Sequence, residues 1–120
     1  MGMDRKVIIG QAPSWEAWTK LAEERGCPVQ MRMIDGELAF PDEAPPETWR
    51  ELRVGLTGGM VTLQREPDGV RLVTWGNAGA DLLRGWNTLA WALAQAGAGA
   101  VETEEGRLKP AEFAAMALQI

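Results

Sequence analysis

The sequence predicts an α+β fold, an antiparallel sheet of about five strands with helices packed on one face. Three observations predict it. Short apolar runs alternate with polar residues and are separated by Asp-Gly and Gly-Gly turn signals, which read as hairpins. Residues 82–97 carry apolar side chains at helical spacing. The order is strand, helix, several strands, long helix, short strand, helix, for which helices laid on one sheet face are the natural layer solution. At 120 residues the chain is expected to form a single domain, 1–120, with enough apolar residues to build a core without disulfide or metal.

Val7, Ile8 and Ile9 are a β-branched run expected as the first strand. After the loop Gly10-Gln11-Ala12-Pro13, Ser14 reads as an N-cap and Glu16 suits the first helical turn. Trp15, Trp18, Leu21 and Ala22 recur at helical spacing, and Gly26 supplies a left-handed stop. Asp35-Gly36 then separates two alternating runs. A two-residue turn there pairs Met33 with Leu38 and Met31 with Phe40, and puts Val29, Met31, Met33, Leu38 and Phe40 on one face. Pro41, Pro45 and Pro46 mark a loop, because proline cannot donate to a ladder.

Leu52, Val54 and Leu56 alternate, and Thr57-Gly58-Gly59 turns the chain into Met60 to Arg65. Glu66-Pro67-Asp68-Gly69 turns it again into Val70 to Trp75. A three-residue loop closed by a left-handed Gly69 pairs Leu63 with Val73 and Val61 with Trp75. Val61, Leu63, Val73 and Trp75 then share one face, with Arg65 and Arg71 at its turn end. Met60, Thr62, Gln64, Leu72 and Thr74 share the other. A two-residue Asp68-Gly69 loop would pair Val61 with Gly76 and Leu63 with Thr74, which mixes the faces.

Gly76-Asn77-Ala78-Gly79 leads into the long helix, where Leu82, Trp86, Leu89, Leu93 and Ala96 form a stripe widened by Leu83 and Ala90. Gly97 ends it. Residues 100–103 suit a short strand, and Glu105-Gly106 a turn. Pro110 at a first helical position, with Glu112 in the first turn, opens a last helix whose apolar face is Phe113, Met116, Ala117 and Ile120.

Composition restricts the chemistry. The net charge is −5, with 17 acids against 12 bases, which argues against a nucleic-acid partner. No segment is long and apolar enough to span a bilayer, and residues 1–11 fit neither a signal peptide nor a myristoylation signal, so a cytoplasmic protein is expected. There is no histidine and no tyrosine, so the usual general base near neutral pH and the commonest zinc ligand are missing. No cofactor or metal is implied. The single cysteine, Cys27, follows a helix C-terminus, where the dipole disfavours a thiolate, and reads as a small packing residue. Two acidic clusters, Glu102 with Glu104 and Glu105, and Asp42 with Glu43 and Glu47, read as solvated charge unless they converge in a cleft. Residues 76–79 lack the endings of a phosphate-binding loop.

Two surfaces are candidates for binding. Trp91 lies roughly 180° from Leu82 on the helical wheel, beside Arg84. Either the last helix covers it with Phe113 or Met116, or another chain does, tryptophan being enriched in interfaces. The uncovered sheet face, with Trp49, Arg53, Thr62, Gln64, Leu72 and Thr74, is the second. Arg65 and Arg71 at a hairpin end, with Arg53 nearby, could also clamp a carboxylate or phosphate.

In layout and charge the chain is similar to small acidic bacterial domains that lay helices on an antiparallel sheet, among them secretion chaperones and other adaptor modules. That likeness is of fold and charge only and rests on no motif; it is the absence of catalytic residue types that supports binding over catalysis. The expected function is therefore a non-enzymatic binding or adaptor module, with a protein partner or a second copy of itself. A small anionic ligand held by the arginines, its identity unknown, and a carboxylate-dependent, metal-assisted enzyme are the alternatives.

Overall fold

A computed structural model describes residues 2–75 and 78–118. The chain runs β1 (Gly2–Ile8), α1 (Trp15–Glu24), β2 (Gln30–Ile34), β3 (Glu37–Leu38), β4 (Glu51–Leu56), β5 (Gly59–Glu66), β6 (Gly69–Trp75), α2 (Ala80–Ala96), β7 (Ala100–Thr103), β8 (Gly106–Leu108) and α3 (Pro110–Ala117). All eight strands join one antiparallel sheet in the order β3-β2-β4-β5-β6-β1-β7-β8, so the expected count of about five was too low. Gly76, Asn77 and the Ile120 end of the last apolar face lie outside the described residues.

Local signals set the helix ends. The Ser14 hydroxyl accepts the Ala17 N–H at 3.2 Å, which caps α1. Pro110 opens α3, and the Glu112 carboxylate accepts the Lys109 N–H at 2.9 Å. The Asp35-Gly36 turn has positive φ at both residues, 49° and 85°, and pairs Met33 with Leu38 as expected.

Two registers differ from the sequence reading. In β2 a bulge falls between Met31, opposite Val54, and Met33, opposite Arg53. One extra residue reverses the side-chain alternation. Met31 is therefore buried in the core, while Met33 and Leu38 turn to the other face, instead of all sharing one. In the β5–β6 hairpin the pairs are Leu63 with Leu72, Thr62 with Val73 and Glu66 with Gly69, one residue from the expected register. The loop is Pro67-Asp68. Gly69 belongs to the strand because β1 passes close beside it: a Cβ there would lie 1.8 Å from the Val7 carbonyl oxygen. The slip turns Val70, Leu72 and Thr74 inward and Val73 and Trp75 outward.

β1 is longer than its apolar run because its polar half pairs fully with β6, from Gly2 opposite Trp75 to Ile8 opposite Gly69. β8 forms where only a turn was expected. The Thr103 hydroxyl accepts the Glu105 N–H and donates to the Gly106 carbonyl, closing that hairpin.

The helices cover one sheet face. Inward residues of the central strands, Val7, Leu52, Val54, Val61, Leu63, Val70 and Leu72, are fully buried with Trp18, Leu89, Leu93 and Phe113 from the three helices. Each such aliphatic side chain contributes roughly 1.5–3 kcal/mol by leaving water. Trp86 also donates its indole N–H to the Leu72 carbonyl at 3.1 Å, fixing α2 to the sheet. Gly85, Thr88, Ala92 and Ala94 of α2 are buried as well, because α1 and α3 flank the helix beyond its predicted stripe. No helix among the described residues is long and apolar enough to cross a membrane.

Candidate functional site: the open sheet face and a groove at its end

Cross-strand pairing lays the outward residues in rows. One row runs Leu38, Met33, Arg53, Thr62, Val73, Asp4 across β3, β2, β4, β5, β6 and β1. Beside it lie Glu51, Gln64, Arg71 and Lys6 on one side, and Gly55, Met60, Trp75 and Gly2 on the other.

The two ends of this face differ in charge. Near the β5–β6 turn the ions neutralise one another: Lys6 bridges Glu66 at 2.8 Å and Asp68 at 2.6 Å, while Arg71 bridges Glu66 at 2.9 Å and also Asp4. Hydrogen bonds from Arg71 first, then Lys6, hold the Glu66 carboxyl below its ordinary pKa, and Lys6 does the same for Asp68. Glu66 and Asp4 in turn keep Arg71 more firmly protonated.

At the other end Trp75 is 66% exposed and Met60 46% exposed. They border a concavity of about 270 Å³ lined also by Glu51, Arg53, Thr62, Gln64 and Val73. Arg53 and Arg32 form no ion pair among the described residues. Arg32 lies over Gly55, where a Cβ would come 2.7 Å from its Nε. Beyond them the β2–β3 hairpin and the chain after it carry Leu38, 89% exposed, and Phe40, 75% exposed, among Glu37, Asp42 and Glu43.

The residues singled out from sequence are dispersed. Arg53, Thr62 and Gln64 lie on the open face as expected; Leu72 and Thr74 face the core, because of the hairpin register. Trp49 is only 3% exposed and sits on the helix side, not the open face. There the Arg65 guanidinium stacks 4.3 Å from its ring centroid and donates to the Glu47 carbonyl at 2.8 Å. Arg65 therefore opposes Arg53 and Arg71 across the sheet, and the three do not form one clamp. Trp91 is half-buried beneath Arg25 at the end of α1, whose guanidinium lies 4.1 Å from the ring centroid. Phe113 is instead engaged with Arg5, which lies 5.0 Å from its ring and 4.7 Å from that of Trp86. Arg84 is exposed on α2 near Cys27, whose thiol is pushed up by burial.

The sequence reading missed Trp75, Met33 and Arg32 on the open face. Arg71 was the available signal: the register that buries Val73 and Trp75 also turns this arginine inward.

A groove of about 770 Å³ opens on the helix side, between the loop before α1, the proline-rich loop before β4 and the end of α2. Arg65 and Trp15 line it. Among the described residues no three His, Cys, Asp or Glu side chains are grouped to hold a metal ion.

Comparison of the chain with protein-family models, with curated proteins and with solved structures finds no match.

Proposed function

We propose that this protein is a binding module that associates with a second copy of itself through the open face of its sheet. The observation that carries the reading is the pairing of two unlike surfaces on one chain. One is Trp75, Met60 and Val73 beside Arg53 and Arg32; the other is Leu38 and Phe40 among Glu37, Asp42 and Glu43. Each supplies what the other lacks, an apolar contact and the opposite charge.

Size decides how they meet. From β2 to β1 and three rows deep, the patch measures roughly 20 Å by 14 Å, or about 300 Å². A stable interface buries about 800 Å² on each partner, so the patch alone is too small. A two-fold pairing that lays each copy's Leu38 and Phe40 on the other's patch uses both surfaces twice. Burying Leu38 and Phe40 adds roughly 1.5–3 kcal/mol for each side chain.

The test is solution mass by sedimentation over concentrations up to about 1 mM. The native chain is expected to rise from 13.1 kDa towards twice that mass. Trp75→Glu in the patch and Leu38→Glu in the hairpin should each hold the mass at one chain, with the circular dichroism unchanged because both side chains are exposed. A native chain that stays at 13.1 kDa throughout sinks the proposal.

A further inference from the structure

The groove on the helix side has no part in the association argued above. Its floor carries a cation with unused donors. Arg65 donates one hydrogen bond among the described residues, from Nη1 to the Glu47 carbonyl, and its Nε is buried without a partner. Asp35 acts on it by its charge but makes no ion pair with it among the described residues; its Oδ1 accepts the Arg50 and Glu51 N–H groups at 2.7 and 2.9 Å. Glu16 and Glu47 also line the groove, but both are exposed at its rim, where solvent and salt screen them. Arg65 is half-buried and screened less, so the inner end of the groove favours negative charge. The N-terminal turn of α1 faces the same space and reinforces that sign.

Gln11, Ser14 and Thr48 add polar lining, and the rest is apolar and stiff. Trp15, itself held edge-to-face by Trp18 at 5.0 Å, stands with Pro13, Pro45 and Pro46. Ala98 at the end of α2 holds φ at 52°, a left-handed conformation that alanine rarely adopts. About 770 Å³ is in the range of small-molecule sites. We infer that this groove binds an organic anion, its phosphate or carboxylate on Arg65 and its apolar part against Trp15 and the prolines.

Three probes test it by tryptophan fluorescence of the whole chain: phenyl phosphate, inorganic phosphate and benzyl alcohol. Phenyl phosphate should give a saturable change, and the other two a much weaker one or none. Arg65→Gln should weaken phenyl phosphate by roughly tenfold or more, the loss expected for a charge-assisted pair. Ala44→Phe, which fills the rim from an exposed position and leaves Arg65 in place, should abolish the response and decides the matter where Arg65→Gln does not fold. No saturable response to phenyl phosphate, or one unchanged in Ala44→Phe or in folded Arg65→Gln, overturns the site. Equal binding of inorganic phosphate overturns the apolar half of the assignment.

Discussion

Replacing Gly69 by alanine tests the register on which the open face depends. A Cβ at this position lies 1.8 Å from the Val7 carbonyl oxygen, a backbone atom that no rotamer change can move. β1 would have to withdraw by roughly 1 Å or more, enough to take a hydrogen bond of ordinary length past its useful range. The contacts at risk are the Ile8–Gly69 and Val7–Val70 pairings and the bond from the Ile9 N–H to the Asp68 carbonyl, 3.1 Å long. At about 1 kcal/mol for each bond, with loosened packing of Val7 and Val70 added, the cost comes to about 3–5 kcal/mol. For a chain of this length that lowers Tm by roughly 12–20 °C. Gly26→Ala is the control. Gly26 has φ 78° and nothing within 4 Å of its Cβ position, so it loses about 1–2 kcal/mol through backbone strain alone. Thermal and urea unfolding followed by circular dichroism measure both. If Gly69 only closed a three-residue turn, the two variants would lose the same stability. That result would restore the pairing of Leu63 with Val73 and put Trp75 back in the core.

Acid unfolding and one substitution on α2 give further checks. Glu66 and Asp68 titrate below the ordinary carboxylate range in the folded chain, so their stabilising effect is complete above about pH 5 and drains as pH falls through their depressed values. The urea midpoint should be level from neutral pH to about 5 and then fall, with a shallower decline in Glu66→Gln; parallel curves would remove the ion-pair ladder as the cause. Trp91→Ala removes the stack with Arg25 and a half-buried ring, and should cost about 1–2 kcal/mol with no change in solution mass. A change in mass would instead place Trp91 between subunits.

What could be read from the sequence was local. Ser14, Pro110 with Glu112, and Asp35-Gly36 act within a few residues of themselves, and each does in the fold what its chemistry predicts. The missed features depend on residues far apart in the chain. The polar half of β1 looks unlike a strand until Asp4 and Lys6 meet Arg71, Glu66 and Asp68. Gly69 looks like a turn residue until Val7 passes beside it. The bulge after Met31 carries no glycine or proline to announce it. Of the candidate site, Arg53 was legible because Leu52 and Val54 on either side of it plainly face the core. Trp75 was not, because β6 is apolar on both faces and alternation alone cannot choose between them.

The slip that corrects the hairpin also creates the open-face site. It carries Arg71 outward to Glu66 and Asp4, which removes a charge from beneath the helices. It carries Val73 and Trp75 outward with it, because residues two apart in a strand must share a face. The Trp75 ring is left 66% exposed, whereas Val70, Leu72 and Thr74 fill the inward positions without it. The exposed ring thus shares the face on which Arg71 meets Glu66 and Asp4. Its place in one concavity with Arg53, a cation with no ion pair among the described residues, is what distinguishes the patch from a scattered apolar surface. On a chain with 17 acids and 12 bases, an arginine with no ion pair among the described residues, lining one concavity with an exposed tryptophan, favours an acidic and apolar contact, and residues 37–43 have both properties.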